Sequence, residues 1–183
     1  MAQLRFGSLT PSGVGGPVVG NAPVMTDDQT RKVAELIKGE RFAFLTTITR
    51  DGTLTSRPMT LQEVEFDGDL WFFAERDSSP VQHIAASPQV NVGVGSGGTW
   101  VSLTGHAVVV DDVARKRELW NSAVEAWFPQ GPDDASVVLI KVEGNSAEYW
   151  DSPGGRLATV FSFAKAKVTG RRIEGGENEK VDL

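Results

Sequence analysis

Three turn signals, Asp51-Gly52, Asp67-Gly68 and Ser96-Gly97-Gly98, each lie between two runs rich in β-branched and aromatic residues. An Asp-Gly pair favours the positive φ angles of a tight hairpin loop, so each signal turns the chain back as an antiparallel pair. The predicted pairs are 41–49 with 53–60, 63–66 with 70–75, and 90–94 with 99–110. In the last strand Val101, Leu103, Gly105, Ala107 and Val109 alternate with Ser102, Thr104, His106 and Val108, the pattern of a strand buried on one face. Two more strands are predicted at 136–142 and 147–150. Helices are fewer. One is predicted over 27–38, where Thr26 and Gln29 have capping-box spacing and Gly39 supplies the stop. Another begins at Asp77-Ser78-Ser79-Pro80 and ends before Ser87-Pro88. A third and longest runs from Asp111-Asp112 to Phe128, with Trp120, Ala123, Val124 and Trp127 on its apolar face. Consecutive antiparallel strands with few helices predict a mainly β protein, a small antiparallel Greek-key-like barrel with helices at its mouth or side. The helices are too few for a Rossmann alternation.

A length of 183 residues suits one domain. Residues 1–25, rich in Gly, Pro and Ser, read as a flexible leader. Residues 26–168 form the expected domain, and 169–183 a polar tail that follows a short apolar interruption at 157–163. A formal net charge of −6 argues against a nucleic-acid partner and against a polybasic membrane surface. With no cysteine, disulfides, iron–sulfur clusters, thiolate zinc sites and cysteine nucleophiles are excluded. His83 and His106 are the only histidines, too few for a histidine-rich metal site. No apolar run reaches the roughly 20 residues of a membrane span, and no secretory signal opens the chain. A cytoplasmic protein is expected.

Familiar catalytic motifs are missing: no dinucleotide fingerprint, no Walker loop, no nucleophile elbow. The pairs Asp27-Asp28, Asp111-Asp112 and Asp133-Asp134 stand at helix starts or in a turn, where capping accounts for them. Three features point further. Arg57, in Ser56-Arg57-Pro58-Met59, could aim its fork at a phosphate, or could be an edge residue in an ion pair. Phe72-Phe73-Ala74-Glu75-Arg76-Asp77-Ser78-Ser79 leads a strand end into a helix N-terminus that could hold an anion, or could simply be capped. Of the tryptophans, Trp71, Trp120 and Trp127 read as core. Trp100 and Trp150 sit at strand ends, where they could flank a flat ring or pack. Together these features suit a planar ring with a phosphate tail, such as flavin mononucleotide.

The order and spacing of several segments resemble the general stress protein 26 branch of the pyridoxamine 5′-phosphate oxidase-like superfamily. These are Ala43-Phe44-Leu45-Thr46-Thr47, Ser56-Arg57-Pro58-Met59, Leu70-Trp71-Phe72-Phe73, Arg76-Asp77-Ser78 and Val101-Ser102-Leu103-Thr104-Gly105. Leu119-Trp120, Trp127-Phe128-Pro129-Gln130-Gly131 and Glu148-Tyr149-Trp150-Asp151 continue the series. The resemblance implies an FMN-binding split β-barrel, a homodimer with two flavin sites at the subunit interface. Carried over by position, it implies that Arg57 holds the phosphate, with Ser78 and Ser79 at the phosphate-side turn. Pro58 and Met59 would run beside the ring, Phe73 and Ala74 face it, Trp100 reach it from the partner chain, and Trp150 lie near it. FMN is expected ahead of FAD or a deazaflavin.

Two departures narrow the function. Where the true oxidases carry further basic residues at the phosphate, this chain has Gln62, Ser79 and Pro80. Where they have an Arg-Leu-His-x-Arg pattern for pyridoxamine phosphate, it has Arg156-Leu157-Ala158-Thr159-Val160. Oxidation of pyridoxamine phosphate is therefore not expected. The leading reading is a flavin-dependent oxidoreductase of unknown substrate. The alternatives are a non-enzymatic flavin-binding or flavin-storing stress protein, and an empty barrel that works through protein contact. No side chain stands out as an acid or base. His83 reads equally as surface or site, and His106 as facing solvent or a partner.

Overall fold

A computed structural model of the chain describes residues 26–62, 66–96, 98–151 and 177–181. The elements follow as α1 (Asp27–Ile37), β1 (Phe42–Ile48), β2 (Leu54–Thr60), β3 (Asp69–Glu75), α2 (Ser79–Ala86) and β4 (Gln89–Ser96). Then come β5 (Thr99–Val110), α3 (Val113–Leu119), α4 (Ser122–Trp127), β6 (Val137–Asp151) and β7 (Glu177–Val181). The strands form one antiparallel sheet in the order β2-β1-β4-β5-β6-β3, with β7 pairing the far half of β6. The sheet curls until its two edge strands, β2 and β3, approach each other without a hydrogen-bonded ladder between them. This is a split barrel, and its seam runs between β2 and β3.

Local chemistry explains most element ends. Thr26 and Gln29 form the expected capping box on α1, and Gly39 leaves the helix with a positive φ of 82°. Gly52 and Gly68 turn with positive φ as the Asp-Gly signals require. Asp112 caps α3 by accepting from the amides of Ala114 and Arg115. Asp133 pairs with Arg117, and Asp134 accepts from Ser136.

Five expectations need correction. The long helix predicted to Phe128 is two. Trp120 adopts an extended ψ of 131°, and Asn121 restarts the chain as the cap of α4, accepting from the amides of Ala123 and Val124. Trp127, expected in the core, is 73% exposed, because six residues of α4 bury only Val124. The two predicted last strands are one, β6, pairing along its length with β5 across a bulge at Thr104/Gly105. There a Cβ on Gly105 would stand 2.2 Å from the Glu143 carbonyl, and one on Gly144 would stand 2.8 Å from the Gly68 carbonyl. Both glycines mark close backbone approach rather than a turn. Val109, expected inward, is partly exposed at the strand's end. Of the predicted 63–66 strand, 63–65 lie outside the described residues and Phe66 belongs to no strand; β3 pairs with β6. The leader, the apolar 157–163 stretch and residues 156–160 also lie outside the described residues.

Two apolar clusters hold the sheet. Inside the curl, Leu45, Phe72, Val92, Leu103 and Ile140 meet Val33 of α1 and Val81 and Ile84 of α2. On the other side of β3 and β6, Phe73, Val137 and Leu139 meet Leu119 and Val124 of the two short helices. Hence Phe72, Phe73 and Ala74 are buried in succession, as in a strand covered on both faces. The rest of the outer face lacks such a cover among the described residues: Phe42, Phe44, Leu54 and Trp100 are each more than half exposed there.

Candidate functional site

An open cleft of about 460 Å³ lies over the seam. One wall comes from β1 and β2 (Phe42, Pro58, Met59, Thr60), the other from β3 and the start of α2 (Phe73, Ala74, Glu75, Ser78, Pro80). Val124, Trp127 and Phe128 close one side, and Gln62 also contributes. The cleft is mostly apolar and aromatic, and among the described residues Glu75 is the only ionisable group that lines it. Such a slot accepts a flat ring by stacking and burial. Both flanking strands are ladder edges, so their free backbone donors and acceptors are available to a bound ring.

Of the residues singled out in the sequence, Pro58, Met59, Phe73, Ala74 and Ser78 come together in this cleft. Phe73 is held from behind by Trp120, edge to face at 5.3 Å. Ser79 begins α2 next to the lining residues Ser78 and Pro80. Trp100 and Trp150 do not line the cleft. They stand opposite each other across β5 and β6, and the Trp100 indole lies over Gly95, where any Cβ would clash.

Arg57 lies beneath the wall rather than on it. Paired with Leu45 on β1, it faces the inside of the curl, half-buried. Its Nη1 donates to the Thr47 hydroxyl at 2.9 Å and the Leu45 carbonyl at 3.4 Å. Its Nη2 is buried and has no hydrogen-bond partner. Burial pushes the guanidinium pKa down from its ordinary value, and no carboxylate among the described residues pairs with it. The edge ion pair that the sequence left open is therefore not made.

The start of α2 differs from an ordinary capped helix. Ser78 is the N-cap residue, but its hydroxyl donates back to the Glu75 carbonyl at 2.6 Å and makes no cap bond. The amides of Ser79 and Val81 are thus left without a side-chain cap, and Pro80 has no amide to offer. Gln62, a position read as replacing a basic residue, is buried and spent on structure. Its Nε2 donates to the Thr60 carbonyl and its Oε1 accepts from Asn121, tying α4 to the cleft.

Sequence reasoning missed Phe42, Trp127, Phe128 and Glu75 as cleft residues. Only Phe42 carried a signal: with Phe44 it puts two aromatics on the polar-expected face of a strand. Pairing of β1 with β2 places Phe44 opposite Pro58, and pairing with β4 places it opposite Gly93. Phe42 and Pro58 thus belong to both the outer face and the cleft, so the cleft opens onto that face.

The family described as pyridoxamine 5′-phosphate oxidase like matches residues 28–174. Protein bli-3 of Neurospora crassa is 27% identical over 160 residues, covering 81% of this chain and 77% of that protein. A Jannaschia sp. CCS1 structure classed as general stress protein 26 superposes with a TM-score of 0.69 at 25% identity, over 86% of this chain and all of the other. The general stress FMN/FAD binding protein of Xanthomonas citri gives a TM-score of 0.59 at 26% identity, over 68% of this chain and 89% of that one.

Proposed function

The chain belongs to the pyridoxamine 5′-phosphate oxidase-like family, in its general stress protein 26 branch, and on that premise we propose that it is a cytoplasmic homodimer that binds flavin mononucleotide at the seam. The carrying observation is Arg57 Nη2, a buried cationic donor without a partner. Leaving such a donor unsatisfied costs about 1–3 kcal/mol or more, and an anionic oxygen satisfies it. The residues present fit the cofactor. Arg57, with the Ser79 hydroxyl and the uncapped amides of Ser79 and Val81, would hold the phosphate, beside Ser78 at the turn. Pro58, Met59, Phe73 and Ala74 would lie along the ring. The name of the Xanthomonas citri relative, an FMN/FAD binding protein, supports a flavin. One phosphate-binding arginine favours FMN over FAD.

The outer face supports the dimer. A second copy seated on Phe44, Leu54 and their neighbours would cover the cleft mouth and could bring its own Trp100 and Trp150 to the ring. A bound flavin supplies hydride or electron transfer, while the chain's residues bind, orient and exclude water. We assign an oxidoreductase role with an unidentified substrate. One observation favours the second reading, a flavin carrier: among the described residues that line the cleft, Glu75 is the single ionisable group, so no acid–base pair is assembled by them. Pyridoxamine phosphate is not the substrate we propose, because positions 158 and 160 are Ala158 and Val160, which offer its phosphate no side-chain hydrogen bond. Titration with FMN, followed by flavin fluorescence, tests the proposal. Saturation at micromolar concentrations or below is expected, near −8 kcal/mol; no saturable change up to about a millimolar overturns it. Turnover of reduced nicotinamide by the flavin-loaded protein separates oxidoreductase from carrier.

A further inference from the structure

His83 lies on α2, outside the cleft lining, yet it is joined to Arg57 through one buried hydroxyl. Thr47 Oγ1 lies 2.9 Å from His83 Nδ1 and 2.9 Å from Arg57 Nη1. Thr47 is fully buried. A guanidinium can only donate, so the threonine oxygen accepts from Arg57. Its own proton then needs an acceptor, and His83 Nδ1 is the one within reach. This assigns the imidazole the tautomer with a lone pair on Nδ1 and the proton on Nε2. The chain Arg57–Thr47–His83 is then satisfied at every link, and Arg57 is left with Nη2 as its one unspent buried donor.

Resting on the flavin phosphate reading, we infer that His83 is a positioning residue: through Thr47 it fixes the rotamer of Arg57 so that Nη2 faces the phosphate. Without an acceptor at Nδ1, the Thr47 hydroxyl is free to turn its proton toward Arg57, and the two donors repel. Asparagine can place an amide oxygen near Nδ1, whereas alanine cannot.

The test is FMN and riboflavin binding by the full-length protein carrying His83→Ala, His83→Asn, Arg57→Ala, or Arg57→Ala with His83→Ala. His83→Ala is expected to weaken FMN roughly threefold to tenfold, the worth of one neutral hydrogen bond. Riboflavin, which lacks the phosphate, keeps its affinity and reports that the barrel is intact. His83→Asn restores most of the loss, and in the Arg57→Ala background His83→Ala has no further effect on FMN. Equal losses for both flavins, or additive losses in the double variant, overturn the role of His83. If Arg57→Ala itself fails to distinguish FMN from riboflavin, the phosphate reading falls instead, and the two failures are told apart.

Discussion

At the scale of single residues, the fate of Arg57 shows how far side-chain type can be read ahead of structure. A strand arginine beside a proline could have been an edge residue neutralised by a carboxylate. Pairing with Leu45 turns it inward, where Nη1 is spent on Thr47 and Nη2 on nothing among the described residues. Arg57→Ala is expected to cost FMN about 1.5–3 kcal/mol, the range for a hydrogen bond to a charged group, with riboflavin unaffected; parallel titrations of the two flavins check it. Lys116 is the opposite case. It is wholly buried, yet its Nζ has three acceptors: Asp111 Oδ1 at 3.2 Å and the carbonyls of Asp134 at 3.3 Å and Val137 at 2.8 Å. It is a fully used structural pin. Lys116→Met keeps the volume but strands the buried Val137 carbonyl, so urea unfolding should show a loss of about 1–3 kcal/mol, with flavin binding retained by the folded fraction.

At the scale of elements, the β1–β2 hairpin was legible because a positive φ at Gly52 is a local demand that glycine alone meets cheaply; Gly68 meets the same demand, but the strand it leads into pairs with β6. The break between α3 and α4 was not. The apolar spacing of Trp120, Val124 and Trp127 suits one helix, while the Asn121 cap that interrupts it is a single residue inside that pattern. Continuity of β6 was hidden for another reason: Gly144 looks like a turn residue until Gly68, far away in sequence, passes behind it. Around α3 three carboxylates share a pH signature. A hydrogen bond from Arg76, then one from Lys116, holds the Asp111 pKa below its ordinary value; Arg117 does the same for Asp133 and Ser136 for Asp134. Folded values below the unfolded ones stabilise the protein above the unfolded pKa, roughly 3.9. That contribution disappears as pH falls through the folded values. The thermal unfolding midpoint should therefore fall progressively below about pH 4. Asp111→Asn should lower the midpoint at neutral pH and flatten the acid decline; an unchanged acid limb would remove Asp111 from the cause.

At the scale of the whole molecule, the site's incompleteness follows from the barrel being split. The cleft residues Pro58, Met59, Phe73 and Ala74 were legible because resemblance and strand pattern both put them on strands beside one another. The walls Phe42 and Trp127 were not, because a cleft between two edges is made by curling the sheet, which no local window contains. The same curl leaves the outer face of β1, β2, β4 and β5 without a cover among the described residues. Phe42, Phe44, Leu54 and Trp100 stand there at 63%, 60%, 68% and 54% exposure. An apolar face of this kind on a soluble protein is usually covered by a partner. Cover by a second copy requires only a surface that complements itself. Phe44 is the residue that separates this cover from the cleft, since it lies on the face but does not line the site. Phe44→Glu places a charge at the centre of the proposed contact and leaves the inward core residues Ala43 and Leu45 untouched. Sedimentation at several concentrations should show a dimer for the native chain and a monomer for the variant. FMN affinity should fall with the mass, because the proposed site takes Trp100 and Trp150 from the second copy. A variant that stays dimeric would move the interface elsewhere. A monomeric variant that binds FMN as tightly as the native protein would leave the cleft sufficient alone and remove both tryptophans from the site.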